Sequence, residues 1–284
     1  MSFRPQPERP QPKEHTRMIF LRGITRTPAA HDGYPFSVPA IGSLEYMDFS
    51  NVTLLMGENG SGKSTLLEAL AVLMRLPALG AADADDDQTL SSVRPLVNSL
   101  RPAFSRRPRQ GMFLRAEDFF GYTRRIAALQ DEMRRELRRI DAEYADASAF
   151  TRGQARMAYA GSLGELERAH GADPDARSHG ESFMHMFNER IHPGGLYLLD
   201  EPEAPLSPIR QLALMGMIME REKDSQFIIA THSPILAAYP GAAIWSFDGS
   251  PARRVEYDEL ESVNLIRDFL NAPGRYIRGL REGE

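Results

Sequence analysis

A single stretch, Val52–Leu73, constrains the fold more than any other part of the chain. It begins with a short apolar run typical of a buried strand, passes through a loop rich in Gly and Ser, and ends in a leucine-rich helical pattern. Strand, glycine loop and helix follow each other in the order that a phosphate-binding P-loop requires. The stretch therefore predicts a nucleotide phosphate site at the junction of a strand and a helix.

The residue types in this loop suit phosphate chemistry. Glycines let backbone N–H groups approach a phosphate closely, and the N-terminus of the next helix adds further N–H groups and the positive end of its dipole. Lys63 can reach the β- and γ-phosphates of ATP, and the Ser64 hydroxyl can bind Mg²⁺. The residues expected to contact the nucleotide are Gly57, Asn59, Gly60, Ser61, Gly62, Lys63, Ser64 and Thr65.

Length and composition narrow the classes of protein. The 284 residues fit one large α/β domain with a small subdomain, and the net charge of −5 does not by itself indicate a nucleic-acid partner. The absence of cysteine excludes disulfides, thiolate metal sites and Cys nucleophiles. Because no apolar run approaches membrane-spanning length, we expect a cytoplasmic protein, and any membrane partner would be a separate chain.

The N-terminal region predicts a tail followed by an antiparallel edge. Residues 1–17 are rich in Pro and charge, so we expect a disordered tail ahead of a domain that covers residues 18–284. Short strands are predicted at Met18–Leu21, Tyr34–Val38 and Leu44–Phe49. Tyr34 and Phe36 could stack on an adenine ring, although packing in the core or at the sheet edge is the commoner role of such aromatic residues.

The middle of the chain predicts a loop and a helical arm. Pro77–Pro108 is acidic and contains proline, as a solvated loop does. Residues 119–149 predict a helical arm, and the polar stretch Gly161–Ala176 predicts a loop, so that a subdomain covers about 117–177. The apolar residues that recur along the arm at steps of three and four are Ile126, Leu129, Met133, Leu137, Ile140 and Tyr144.

Charge on this arm leaves two interpretations open. Arginines could contact nucleic acid or an acidic partner, but the interleaved acidic residues also fit a plain solvated helix face, with Asp131 and Arg135 spaced to pair. The arginines concerned are Arg124, Arg125, Arg134, Arg135, Arg138 and Arg139.

Strands and helices alternate in the rest of the chain, which predicts a mostly parallel α/β sheet. The predicted strands lie at 111–116, 196–199, 227–230, 243–247 and 254–257. The predicted helices lie at about 183–191, 209–221, after Pro234, and at 259–270 and 273–280.

Polar residues follow two of these strands. Asp200 and Glu201 come directly after an apolar run, and His232 follows the next one. Because ligands of open α/β sheets bind at the carboxyl ends of the strands, we expect these residues beside the P-loop. Asp200 would hold Mg²⁺, Glu201 would polarise the attacking water, and His232 would bond the γ-phosphate. The alternatives are that the acidic pair only caps the next helix and that the histidine is structural.

The order of these motifs, with Ser178–Ser182 (SHGES) before the Asp200 strand and THS at Thr231–Ser233, resembles that of ABC-type ATPases over roughly residues 17–250. SHGES stands where that family has its LSGGQ signature. The resemblance implies an ATP-sandwich homodimer with Mg-ATP at each P-loop, in which Ser178 and Gly180 of one subunit touch the γ-phosphate held by the other. Glu117 falls at the position of the family's Q-loop glutamine, although the side chain differs.

Departures from the family pattern favour its soluble branch. Transporter ATPases usually continue after the acidic pair with a stretch like SALD, whereas this chain has Glu203–Pro208 (EAPLSP). DEPEAPLSP looks more like SMC-like, RecF-like and stand-alone AAA/ABC ATPases. The helical arm resembles a much reduced version of the arm in those proteins, and the C-terminal segment from Asp268 looks like their tail.

Three functions remain open at this stage. The first is a soluble ATPase that couples dimer closure to work on a macromolecule, with DNA maintenance or defence as the process by family analogy. The second is the ATP-binding subunit of a membrane transporter. The third is a slow nucleotide switch that binds ATP, dimerises and regulates a partner. No residue pattern names the client or the residue that stacks on the base.

Overall fold

The computed structural model describes residues 18–28, 33–78, 88–171 and 179–282. The predicted disordered tail at 1–17 and the acidic run at 81–87 lie outside the described residues.

Nine strands and ten α-helices are found in these four ranges. The strands are β1 Leu21–Arg26, β2 Tyr46–Asp48, β3 Val52–Met56, β4 Leu100–Phe104, β5 Gln110–Arg115, β6 Gly195–Asp200, β7 Gln226–Thr231, β8 Ala243–Ser246 and β9 Arg253–Val255. The helices are α1 Pro39–Gly42, α2 Lys63–Met74, α3 Arg94–Ser99, α4 Ala116–Glu143, α5 Ala149–His170, α6 His179–Arg190, α7 Pro208–Arg221, α8 Pro234–Ala237, α9 Glu261–Asn271 and α10 Pro273–Glu282.

A six-stranded sheet with the order β5-β6-β7-β3-β8-β9 forms the centre of the molecule. The first five of these strands run parallel, and β9 pairs antiparallel at the edge. This confirms the predicted mostly parallel α/β sheet. All residues of β3, β6 and β7 are buried, as expected of strands that are covered on both faces.

Layers of helices cover the two faces of this sheet. Leu55 of β3 belongs to the hydrophobic cluster that contains the leucines of α2, whereas its neighbours Leu54 and Met56 belong to the opposite cluster with Phe183 of α6 and Leu214 of α7. This alternation follows from the two-residue period of a strand. The result is the three-layer arrangement that holds strand ends, and the residues after them, in a fixed row.

The antiparallel edge expected before the P-loop strand is a separate sheet with the order β2-β1-β4. The strand predicted at 18–21 is wrong, because the strand starts at Leu21 and runs to Arg26. The strand predicted at 34–38 is also wrong: these residues form turns, and Pro39 then begins α1, where its missing N–H is tolerated. The third strand, Leu100–Phe104, comes from the region predicted as a loop at 77–108.

A buried glutamine joins the two sheets. The Gln226 side-chain oxygen accepts the N–H groups of Phe20 and Leu21, both at 2.9 Å, and its amide group donates to Leu21 O at 2.8 Å and Ser50 O at 2.9 Å. These bonds satisfy four backbone groups that strand pairing leaves open.

A helical hairpin of α4 and α5 forms the arm. Ile126, Leu137 and Ile140 are buried, as the periodicity predicts, whereas Leu129 is 37% exposed. The loop predicted from Gly161 is wrong, since α5 continues to His170. Instead of an Asp131–Arg135 pair, the structure has Arg134 bonded to Asp131 at 3.3 Å and to Glu167 of α5 at 2.9 Å.

Among the described residues, no helix combines the length and the apolar character needed to cross a membrane.

Candidate nucleotide site

Glycines shape the loop between β3 and α2. Gly57, Gly60 and Gly62 have φ values of 148°, 79° and 105°, a region that favours glycine. At Gly62, a Cβ atom would lie 2.9 Å from side-chain carbons of both Val38 and Ile41, so the loop also has no space for a larger residue there. The loop can therefore turn its backbone toward a phosphate where a side chain would prevent it.

Lys63 is buried within this loop. Its ammonium group donates to the carbonyl oxygens of Gly57 at 2.6 Å and Glu58 at 2.9 Å. Burial lowers the pKa of Lys63, while the carboxylates of Glu201 and Asp200 act in the opposite direction. The structure thus keeps a cation at the base of the loop, directed at its carbonyl groups and close to two acids.

Ser64 and Asp200 meet at the start of α2. The Ser64 hydroxyl bonds an Asp200 carboxylate oxygen at 3.1 Å, and Asp200 is only 8% exposed. The pKa of Asp200 is raised to about 7, mainly by burial and to a smaller extent by nearby Glu201 and Glu68, whereas the Ser64 hydrogen bond and Lys63 act in the opposite direction. A buried carboxylate and a hydroxyl side by side fit a hard cation such as Mg²⁺, which uses one or two protein oxygens together with phosphate oxygens.

No group of three or more His, Cys, Asp or Glu side chains able to hold a metal occurs in the described ranges.

Glu201, which follows β6, and His232, which follows the neighbouring strand β7, face each other. Strands β6 and β7 are paired so that Asp200 lies beside Ala230, and the Glu201 N–H donates to the Ala230 carbonyl at 2.9 Å. The carboxylate of Glu201 lies 3.1 Å from Nε2 of His232. Glu201 has φ of 49°, an uncommon conformation for a residue with a side chain. Such backbone strain persists only where the surroundings hold it, and it is frequent at functional sites.

A cavity of about 790 Å³ opens over the P-loop. It is lined by the loop residues Gly57–Ser61, by His232, by Asp248 after β8 and by Leu265 of α9. Asp248 also orders the loop, because its carboxylate accepts the Glu58 N–H at 2.8 Å. The structure therefore brings four predicted loop residues, Gly57, Asn59, Gly60 and Ser61, and the predicted histidine to one opening, whereas Asp200 and Glu201 are not among the residues that line it.

The two aromatic candidates for the base differ in position. Tyr34 is 51% exposed, and its hydroxyl lies 3.2 Å from that of Thr65 at the start of α2. Phe36 packs against the core, and the Arg26 guanidinium carbon lies over its ring, 5.7 Å from the ring centroid. Of the pair, Tyr34 is the one bonded to the P-loop helix.

The described part of the expected signature is not among the residues that line this cavity. Ser178 lies outside the described residues. Gly180 lies at the start of α6 against Arg210 of α7, and a Cβ there would lie 2.8 Å from the Arg210 side chain. Glu181 bonds the same arginine at 2.6 Å. The described part of the signature thus contacts the segment after β6 and does not line the opening over the P-loop.

The predicted Q-loop residue, Glu117, lies in the first turn of α4 with its side chain 77% exposed. Sequence reasoning missed its neighbour Arg115, whose side chain is 9% exposed at the end of β5. Arg115 donates to both oxygens of Asp118, at 2.8 and 3.1 Å, and lies 3.7 Å from Glu68 of α2. The sequence does contain a signal for Arg115, because this arginine ends an apolar run. The structure shows that this run is β5, which pairs with β6 so that Arg115 lies beside Asp200.

Two family models match the chain. One, described as "P-loop containing region of AAA domain", matches residues 41–80. The other, described as "AAA domain, putative AbiEii toxin, Type IV TA system", matches residues 186–238. The first covers the P-loop, and the second covers the strand ends that carry Asp200, Glu201 and His232.

Several solved structures are similar. An Smc head domain of Pyrococcus furiosus, bound to the C-terminal domain of ScpA, is 12% identical, with 89% of this chain and 100% of that chain covered and a TM-score of 0.41. The Smc head domain of Thermotoga maritima is 13% identical, with 84% and 100% covered and a TM-score of 0.39. A nucleotide-free ATP-binding cassette of an ABC transporter is 16% identical, with 88% and 96% covered and a TM-score of 0.45. No curated protein matches the chain.

The two family models fall on the same segments of the chain as the sequence motifs. The matched segments hold the P-loop, the acidic pair and the histidine, which the fold places on neighbouring strands β3, β6 and β7. Two segments of the chain, residues 41–80 and 186–238, are thus similar to models of AAA domains, the first of which is described as a P-loop region.

Proposed function

We propose that this chain binds Mg-ATP at the P-loop and hydrolyses it to ADP and phosphate. The observation that carries the proposal is the pairing of Ser64 with Asp200 and of Glu201 with His232 at one edge of the sheet. A metal-binding pair and a base paired with a histidine are the parts that in-line attack of water on a γ-phosphate requires.

Each residue has a defined task in this reaction. Bound Mg²⁺ supplies neutralising charge for the phosphate oxygens, and Ser64 and Asp200 are the residues that would hold it. Lys63 and the backbone N–H groups of the loop bind the phosphates. Glu201 accepts the proton of the attacking water, and His232 orients the Glu201 carboxylate through their 3.1 Å contact.

A second copy of the chain completes the site in this proposal. Gly180 lies against Arg210 and is not among the residues that line the cavity over the P-loop, so it does not contact a nucleotide bound there by its own chain. Two copies related by a twofold axis would exchange signatures, each helix α6 directing its N-terminus at the phosphate of the other.

The test uses Glu201→Gln, which removes the base and keeps the size of the side chain. We expect the variant to bind Mg-ATP, to lose at least about 100-fold in turnover and to become a dimer by light scattering only with ATP. Glu220→Gln, at a position with an 80% exposed side chain, is the matched control and should hydrolyse ATP like the unmodified chain. A Glu201→Gln variant that binds ATP and stays monomeric would overturn the self-sandwich. Absence of ATP binding by the unmodified chain would overturn the whole proposal.

For the client we propose DNA, in a maintenance or defence role. Arg135 and Arg138 are exposed on α4, whereas Arg134 and Arg139 pair with acids and contribute less free charge. The toxin system in the name of the second family model is compatible with defence. Charge reversal at Arg135 and Arg138 should weaken ATP-dependent DNA binding and reduce its salt dependence by about one unit of slope per lost phosphate contact.

Other outcomes of the same measurements favour the alternatives. Salt-insensitive association with a membrane protein, without DNA binding, would favour a transporter subunit. ATP-dependent dimerisation with almost no hydrolysis by the unmodified chain would favour a regulatory switch.

A further inference from the structure

The segment that follows the acidic pair contacts the end of the neighbouring strand. One oxygen of the Glu203 carboxylate accepts two hydrogen bonds, from the Thr231 hydroxyl and from the backbone N–H of His232, both at 2.7 Å. Thr231 is the last residue of β7, and His232 directly follows it. A single carboxylate oxygen therefore restrains the backbone from which the His232 imidazole extends.

Glu203 is itself held at a fixed distance from Glu201. The Ala204 N–H donates to the Glu201 carbonyl at 3.0 Å, and the Leu206 N–H donates to the Glu203 carbonyl at 2.8 Å, so the segment forms consecutive tight turns. Glu201 thus contacts the imidazole of His232 while Glu203 contacts its backbone. Contacts at two points fix the direction of a side chain better than one contact can.

A second side chain restrains the other side of the histidine. Gln211 of α7 accepts the Ser233 hydroxyl at 2.6 Å, and the same hydroxyl accepts the N–H groups of Ile235 and Leu236 at the start of α8. The Ser233 N–H donates to the Thr231 hydroxyl oxygen at 3.0 Å. Of Thr231, His232 and Ser233, only His232 is among the residues that line the cavity.

We propose that Glu203 is a positioning residue that aims the His232 imidazole at Glu201 and at the nucleotide cavity. The inference rests on the proposed ATP hydrolysis and adds a residue to it. It also gives a task to the stretch Glu203–Pro208, where the sequence departs from the SALD pattern of transporters. An ionised carboxylate suits the task, because hydrogen bonds to a charged acceptor are shorter and stronger than neutral ones.

The test compares Glu203→Ala, Glu203→Gln and His232→Ala, with Glu220→Ala as a control at an exposed site. Glu203→Ala should lower kcat about 10- to 100-fold while the KM for ATP changes less than about twofold, because the misplaced group acts after binding. Glu203→Gln keeps an oxygen acceptor for both donors and should restore most of kcat. The control should match the unmodified chain.

A double variant separates positioning from general stability. If Glu203 acts through His232, then Glu203→Ala added to His232→Ala should lower kcat by no more than about twofold further. Full additivity of the two effects, or a Glu203→Ala variant as active as the unmodified chain, would overturn the inference while ATP hydrolysis still stands. An unmodified chain that hydrolyses no ATP would instead overturn the proposed function as well. If Glu203→Ala fails to fold, Glu203→Asp replaces it in the comparison of single and double variants. Its side chain is shorter by one methylene, so its carboxylate lies farther from the two donors.

Discussion

Asp200 is a buried acid whose charge the surrounding protein disfavours. Its pKa is raised to about 7 by burial, from an ordinary value of 3.8. Between these two pH values the folded state keeps a proton that the unfolded state has lost, so the contribution of Asp200 to the free energy of unfolding falls as the pH rises from about 4 to about 7. The full effect is at most about 4 kcal/mol.

Asp200→Asn should therefore stabilise the nucleotide-free protein in a pH-dependent way. At pH 5 the aspartate is protonated, and the variant should melt close to the unmodified chain; at pH 8 it should melt several degrees higher. Differential scanning calorimetry in EDTA measures both. Asp146→Asn, at an exposed position, is the control and should show no such trend. A melting difference that stays constant from pH 5 to pH 8 would contradict the assignment of this pKa.

Substitutions at two loop glycines distinguish the effect of backbone strain from the effect of a steric clash. Both Gly60 and Gly62 have positive φ, but a Cβ at Gly60 would meet nothing within 4 Å, whereas one at Gly62 would meet Val38 and Ile41 at 2.9 Å. Gly60→Ala should lower the free energy of unfolding by about 1–2 kcal/mol through strain alone. Gly62→Ala should lower it further, because α1 must also move. Urea denaturation checks the order, and equal losses would show that the contact with α1 is unimportant.

At the scale of elements, the helical hairpin has its own small core. Leu137 of α4, the helix that packs against α5, is 9% exposed, while Arg138 next to it is exposed. Leu137→Ala should lower the stability of the arm by about 2–4 kcal/mol and leave the central sheet intact. Hydrogen exchange should accelerate in 116–170 and stay unchanged in β3, β6 and β7. Arg138→Ala is the control, and acceleration throughout the sheet would show that the arm and the sheet unfold as one unit.

The same hairpin shows where sequence patterns predict structure and where they do not. The stripe of α4 predicted its buried residues, but α5 contains Gly161 and Gly164 and lacks an apolar stripe, so its second half resembled a loop. Its helical state depends on packing against α4, including the Arg134–Glu167 pair, and no local pattern contains that contact. Similarly, β4 has a proline at position 102 and exists because it pairs with β1.

Local patterns were most informative at the ends of buried strands. The runs before Gly57, Asp200 and Thr231 became β3, β6 and β7, and the residues after them lie at one edge. The partners of those residues could not be predicted, because Glu203 lies 28 positions before Thr231 and Arg115 lies 47 positions after Glu68. Such contacts depend on the order of strands in the sheet, which the local composition does not specify.

For the whole molecule, Arg115 is the point where the arm meets the nucleotide site. Its guanidinium lies between Asp118 in the first turn of α4 and Glu68 on the P-loop helix α2. Glu68 is also close enough to Asp200 to raise its pKa. A change of charge at Asp200 is thus connected to the base of the arm through Glu68, Arg115 and Asp118, which is the physical path that coupling between two sites needs.

Arg115→Lys tests this connection while keeping the positive charge. Lysine lacks the planar fork that lets Arg115 bond both Asp118 oxygens and still reach Glu68, so nucleotide binding should no longer alter the arm. In the unmodified chain, Mg-ADP should slow hydrogen exchange in the first turns of α4; in the variant that slowing should be lost while exchange in the P-loop still responds. Arg254→Lys, which alters an exposed pair with Asp48, is the matched control. If Mg-ADP protects α4 equally in Arg115→Lys and in the unmodified chain, then the arm senses the nucleotide by another route, and the P-loop helix itself, moving as a rigid body, becomes the element to examine.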